Sequence, residues 1–322
     1  MALIGNRATA TFCAAGLALA TCATAQIRVV TTIPDFANIV QRIGGDAVTT
    51  TSLTKGHEDL HLVRIRPSLL IKLRRAGAFV QLGLDGEHAW VPAMMRTARN
   101  RQVQPGRPGF CDASLGIAPL QVPAKASRGA GPDLHPRGNP HYNVDPIRMR
   151  TAARNIRDCL IRIDPTNKRR FAERCAAWEK ELDVRLKAWH KKLAPFRGAE
   201  FIEAHSSWIY FAQTFGLNVV ARLEPSPGMS PTPGHLAKVM RIGKQRKIGF
   251  IVGRPRLADV ARRVAKEIGA KSIMLQTCSS TSGTHKGWFA YMDHVVDTFA
   301  ANLRKPETPP AKGTVEKTSA GK

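Results

Sequence analysis

Acidic residues are scarce in this chain. Its 322 residues carry 24 Asp and Glu against 49 Lys and Arg, a formal charge of +25. Aromatic residues are also few, with only Tyr142, Tyr210 and Tyr291 among the tyrosines. That scarcity excludes the stacked aromatic platform on which single-stranded nucleic acids are bound. The basic residues are spread along the chain, and their runs are short (Lys168 to Arg170, Lys191-Lys192, Arg262-Arg263). The charge therefore reads as a solvated basic exterior, open to weak association with anionic lipid or cell-wall polymers, and no specific nucleic-acid partner is expected. A helix-borne HExxH, the zinc-protease motif, is missing, because the His57-Glu58-Asp59-Leu60-His61 run falls between the strand read at Val48 to Leu53 and the helix read from Pro67. Beyond position 25 there is no uninterrupted apolar run of about 18 residues, the length a membrane-spanning helix needs.

The first 25 residues have the layout of a secretory signal peptide: Arg7, an apolar stretch from Phe12 to Ala20, and the small residues Ala23-Thr24-Ala25. A periplasmic or secreted protein is expected. A lipid anchor at Cys22 is disfavoured by Thr21, which stands where a small residue normally precedes a lipidated cysteine. Cys111, Cys159, Cys175 and Cys278 remain, and four cysteines allow three disulfide connectivities. Cys159 and Cys175 either bridge two helices or pack as small apolar residues, and neither reading makes them catalytic.

From Ile27 onward, strand-like and helical patterns alternate. Ile27 to Thr32, Val48 to Leu53 and Ala78 to Leu82 read as strands. Pro34 to Arg42, Pro67 to Leu73 and Glu87 to Ala98 read as helices between and after them. The Pro- and Gly-rich stretch from Gly106 to Asn139 reads as a surface excursion. Asp145-Pro146 opens a helix to about Ile163, and Asp164-Pro165 opens another over Thr166 to Leu193, roughly 42 Å long at 1.5 Å per residue. The alternation then resumes. Glu200 to Ala204, Asn218 to Leu223, Ile248 to Val252 and Ser272 to Gln276 are the strands of this half. Its helices are Ser206 to Phe215, Thr232 to Gln245, Leu257 to Ile268 and Trp288 to Leu303. The expected fold is α/β, with two lobes (26–165 and 195–304), each a mainly parallel sheet flanked by helices, joined by one long helix (166–194). Residues 305–322 read as a disordered polar tail.

Three histidines, His61, His141 and His205, each fall at a strand end or in a proline-punctuated loop. Such positions expose side chains to a ligand in an α/β scaffold. Neutral imidazole binds divalent transition metals, and separations of 80 residues (61 to 141) and 64 (141 to 205) exclude a local finger. Any site they form has to be assembled by the fold.

Several segments together resemble the solute-binding proteins of zinc/manganese ABC transporters. They are VVTTIPDFANIVQRIGGDAV, HEDLHLVRIRPS around His61, HPRGNPHYNVDP around His141, EAHSSWIYFAQTFGL around His205, and EPSPGMSPTPGHL. The resemblance covers Ile27 to Leu303. It implies metal-binding lobes bridged by a strut helix, with His61, His141 and His205 as ligands in the cleft between them. It further implies a monomer without enzymatic activity that hands its metal to an ABC permease in the inner membrane. Three imidazoles suit Zn²⁺, with Mn²⁺ as second choice.

The sequence departs from that pattern in places. Gln276-Thr277-Cys278-Ser279-Ser280 stands where many relatives supply a carboxylate, Gly253-Arg254 where a glutamate is common, and Asn143 where an aromatic is frequent. No long histidine-rich loop is present. Glu203, Glu224, His57, His135, Cys278 and water all stand open as the fourth ligand. Asp145 reads as a helix cap ahead of a partner for His141, and Trp208 and Tyr210 as core or cleft wall. His190 and His235 read as surface residues. Two rival functions remain: a zinc-dependent hydrolase with Glu203 as base, and a basic metal-binding adhesion or surface protein.

Overall fold

A computed structural model describes residues 26–124, 133 and 135–306. The expected signal peptide, Cys22 and residues 307–322 of the expected tail lie outside the described residues. The first lobe contains β1 (Ile27–Thr31), α1 (Pro34–Gly44), β2 (Val48–Ser52), α2 (Pro67–Arg74), β3 (Ala78–Gln81), α3 (Val91–Ala98), β4 (Phe110–Asp112) and α4 (Pro146–Ile163). The long helix α5 (Lys168–Leu193) follows. The second lobe contains β5 (Glu200–Glu203), α6 (Ile209–Phe215), β6 (Asn218–Arg222), α7 (Pro233–Gln245), β7 (Phe250–Gly253), α8 (Ala258–Ile268), β8 (Lys271–Met274) and α9 (Trp288–Asn302). Both sheets are wholly parallel and share one strand order, β2-β1-β3-β4 and β6-β5-β7-β8.

The alternation of side chains along the central strands decides how the layers stack. Val29, Ala78 and Val80 face inward, as do Phe201, Phe250 and Val252 across the molecule. They join one continuous core that also takes in Phe36, Trp178, Trp288 and Phe299. The intervening residues face outward: Val30 and Phe79 pack with Leu73 and Met94, and Ile202 and Ile251 pack with Val239 and Val264. Each sheet is therefore buried on both faces, as all-parallel sheets require. Helix α5 packs on α1 and α4 of one lobe and α9 of the other. Its Trp178 lies 5.7 Å from Trp288 and 5.2 Å, stacked, from Phe289 between ring centroids. On its outer side, Arg154 makes a two-pronged bond to Glu179 at 2.7 and 3.0 Å, Lys192 meets Asp297 at 2.5 Å, and Arg185 pairs with Asp293.

Local chemistry sets the element boundaries. Asp145 caps α4 by accepting from the Ile147 amide at 3.1 Å, and α6 and α8 end on Gly216 and Gly269 in the left-handed conformation. The stretch from Gly106 to Asn139 is not only an excursion: Phe110–Asp112 pairs with β3 and completes the first sheet. Three residues hemmed by Pro and Gly are too short to show a strand period. The long helix begins at Lys168, after a 3₁₀ turn over Pro165–Asn167. Helix α3 begins four residues later than expected, because Glu87 turns back to take the amides of Leu82 (2.6 Å) and Gly83 (3.1 Å). Among the described residues all four cysteines are unbridged, and Cys159 and Cys175 are buried in the apolar core. No described helix is long and apolar enough to cross a membrane.

Because the inner core is continuous, the lobes are expected to unfold in one cooperative transition. Trp178→Ala should lower stability by about 3–5 kcal/mol without splitting that transition. A calorimetric scan resolving two separate peaks would contradict this. Glu87 gives a pH test. It is wholly buried, and burial pushes its carboxyl from 4.5 up to about 7. The folded group thus keeps its proton to higher pH than the unfolded one. Its contribution is complete below 4.5 and is lost as pH rises through about 7, on the order of 3 kcal/mol. Urea titrations of Glu87→Gln across that window should show a shallower fall in stability than the parent, and parallel curves would refute the assignment.

Candidate metal centre

The carboxyl ends of the two parallel sheets face one another, which is where α/β folds present binding groups. His61 sits in a 3₁₀ turn after β2. Its amide donates to Asp59 Oδ1 at 3.1 Å, and the turn is held by Trp90 Nε1 donating to the Leu60 carbonyl at 2.8 Å. His141 opens the 3₁₀ turn that leads into α4. Asn139 Oδ1 accepts from its amide (2.8 Å) and lies 3.0 Å from its Nδ1. His205 follows β5, with Nδ1 2.7 Å from Glu224 Oε2, and the same oxygen accepts from the Gly228 amide at 3.1 Å. An acceptor at Nδ1 fixes the proton there in both rings, leaving the Nε2 lone pairs of His141 and His205 for a ligand. The loops are also stitched across the cleft: Asn139 Nδ2 donates to the Ser206 carbonyl at 2.7 Å, and Tyr210 Oη donates to the Asn139 carbonyl at 2.6 Å.

The ring centroids of His61, His141 and His205 lie 5.1 to 6.0 Å apart, and one ring nitrogen from each falls within 4.8 Å of the others. Two further side chains join them. The His135 ring lies tilted, 4.8 Å from that of His61 between centroids, with its Nδ1 3.0 Å from the Asp85 carbonyl, and Asp133 Oδ1 is 3.9 Å from His61 Nδ1. All five are buried. Among the described residues, His61 Nδ1, His135 Nε2 and both carboxylate oxygens of Asp133 have no hydrogen-bond partner. A buried polar atom left unpaired costs about 1–3 kcal/mol, so four together are an expensive arrangement unless something else satisfies them. The adjoining cavity, about 300 Å³, is lined by Asp133, His135, His141, His205 and Glu224.

Burial decides the protonation states. It pushes His61 down to about 3, with the neighbouring His205 adding to the effect, and it pushes His135 down to about 3 with help from His61. His141 is held well below the ordinary histidine value by burial first and His205 second. Burial raises the Asp133 carboxyl. These three imidazoles are therefore neutral at physiological pH, the form in which they can coordinate.

The other candidates fall elsewhere. Glu203 is fully buried and fully engaged, taking Arg222 Nε at 2.6 Å and the amides of Ser207 and Trp208 at 3.1 and 2.9 Å. Glu224 braces His205. His57 is exposed on the loop before His61. The Cys278 thiol lies 3.7 Å from Asn143 Nδ2, in a polar knot where Asn143 donates to Asp35 (2.9 Å) and to the Thr277 carbonyl (2.6 Å). Asp145 is a helix cap that also meets Arg148 and Thr214. Trp208 and Tyr210 belong to the core. Arg254 pairs with Asp59 across the cleft. Asp133 carries no local mark in the sequence, because it stands in the Pro- and Gly-rich stretch from Gly106 to Asn139. An acid and two imidazoles, Asp133, His135 and His141, within nine residues are the available signal.

Residues 29–302 match the ZnuA family, zinc-uptake complex component A, periplasmic. The zinc-binding lipoprotein AdcA of Streptococcus pneumoniae serotype 4 is 24% identical over 257 residues, 79% of this chain and 50% of AdcA, so the chain spans about half the length of that relative. The iron-binding protein YfeA of Yersinia pestis is 22% identical over 282 residues, covering 85% of this chain and 86% of YfeA. A crystal structure of ZnuA superposes with a TM-score of 0.73 at 25% identity, covering 86% of this chain and 99% of that one. A manganese-bound periplasmic metal-binding protein from Candidatus Liberibacter asiaticus shares the fold, with a TM-score of 0.71 at 20% identity and coverage of 86% and 99%. With a family match running through both sheets and the strut between them, this chain belongs to the ZnuA family of periplasmic zinc-uptake components.

Proposed function

We propose that the protein is an extracytoplasmic solute-binding component that captures Zn²⁺ through His61, His141 and His205 and delivers it to an ABC permease. The observation that carries this reading is the convergence of buried, neutral imidazoles around unpaired polar atoms. Such an arrangement is destabilising by itself and becomes favourable when a cation joins its lone pairs. Zinc accepts a nitrogen-rich, four-coordinate shell, whereas manganese favours oxygen, so Mn²⁺ is the weaker cargo. The family and the names of its relatives, which include zinc-, iron- and manganese-binding proteins, support a transition-metal cargo.

No covalent step is needed. Glu203, the base a hydrolase would require, has both oxygens committed to Arg222 and two backbone amides. Capture is ligand exchange with the hydrated ion, and release follows small shifts of the loops. The continuous inner core resists any wide opening of the lobes.

Calorimetry on the metal-stripped chain should give one Zn²⁺ per chain. Replacing His61, His141 and His205 together with alanine should abolish binding, and an unchanged stoichiometry would remove the site. Glu224→Gln leaves the three imidazoles in place but loosens His205, so an affinity loss of about 10–100-fold is expected. Zn²⁺ at about 100 times Kd should add about 2.7 kcal/mol to unfolding stability. A chain whose melting temperature ignores zinc would contradict the assignment.

A further inference from the structure

The carboxylates around the cleft differ in one respect. Asp59 gives Oδ1 to the His61 amide and Oδ2 to Arg254. Glu224 gives Oε2 to His205 and the Gly228 amide. Glu203 is held by Arg222, Ser207 and Trp208. Asp133 is 1% exposed, and among the described residues neither of its oxygens has a hydrogen-bond partner. A carboxylate buried this way, without a donor, is among the costlier arrangements a fold can hold.

We propose that Asp133 is the fourth, anionic ligand of the captured cation, supplied by the loop between β4 and α4. This rests on His61, His141 and His205 forming the cation site. The placement supports it: Asp133 Oδ1 is 3.9 Å from His61 Nδ1, and a carboxylate oxygen lies within 4.8 Å of ligand atoms of both His205 and Glu224. Gly228 closes the other side. A Cβ there would come within 3.1 Å of the Asp133 carboxylate, so the loop carrying Gly228 leaves that carboxylate little room to swing away. Charge argues the same way. Coordination by three imidazole nitrogens adds no negative charge, so it leaves the full double charge of a divalent ion in a desolvated cleft that also holds the Arg254 guanidinium, which Asp59 already neutralises. One carboxylate in the shell halves that charge. His135 is the neighbouring alternative, but its ring is neutral and its Nδ1 is tied to the Asp85 carbonyl.

A ligand role and a merely structural role make opposite predictions for the metal-free protein. If Asp133 waits for a cation, Asp133→Asn relieves an unpaired buried charge. If it holds the loop together, the same change weakens the fold. Zn²⁺ binding by chelator competition and thermal unfolding without metal should be measured on the full chain, its Asp133→Asn and His135→Ala variants, and the triple histidine variant. The expected result is that Asp133→Asn keeps one Zn²⁺ per chain with affinity at least about 10–100-fold weaker, while its metal-free melting temperature is equal to or above the parent's. His135→Ala should bind near the parent level. Parent-like affinity in Asp133→Asn, or a metal-free melting temperature below the parent's, overturns the assignment and leaves the histidine site standing. Full binding by the triple histidine variant overturns the site and this assignment with it.

Discussion

The shared inner core is the constraint on which the other features depend. Val29, Phe36 and Val80 of one lobe and Phe201, Phe250 and Phe299 of the other belong to a single apolar body, with Trp178 of α5 between them. Two sheets joined this way cannot swing apart without exposing that body to water, so their carboxyl ends stay face to face. The polar cross-links at the rim follow from this proximity: Asn139 to Ser206, Tyr210 to Asn139, Arg254 to Asp59, and Asn143 between Asp35 and Thr277. None of them has to hold the lobes together, because packing already does. Their effect is to fix loop positions closely enough for three rings from three distant parts of the chain to meet.

The same closeness sets the electrostatics. Imidazoles forced together out of water cannot all accept protons, so burial and mutual repulsion hold His61, His135 and His141 neutral. Carboxylates in the same layer divide into two kinds. Those with donors, such as Glu203 and Glu224, brace loops, while Asp133 has no donor among the described residues, an arrangement that costs stability. A binding protein tolerates such a local cost when the rest of the core is large enough to absorb it.

Much of this was legible in the sequence. The βα alternation survives in hydrophobic period and proline placement, because strands buried on both faces and helices opened by Pro34, Pro67 and Pro146 leave strong local marks. His61, His141 and His205 stand at strand ends or in proline-punctuated loops, and the fold brings their rings together. What stayed hidden depends on long-range pairing. Phe110 to Asp112 is a strand only because β3 offers it an edge. Glu87 delays α3 because its carboxylate accepts from the Leu82 and Gly83 amides just after β3 in place of a helical turn. Asp133 looks like any loop acid until the fold removes its water.

The repeated strand order has its own consequence. Although the sheets run β2-β1-β3-β4 and β6-β5-β7-β8, their imidazoles do not occupy matching places: His61 follows an edge strand, His205 a central one, and His141 introduces a helix. Two of the three rings hang from the first half and one from the second. A sideways slip of a single loop would therefore take one ring out of reach of the other two while the frame stays shut, so the cluster can be undone one side chain at a time.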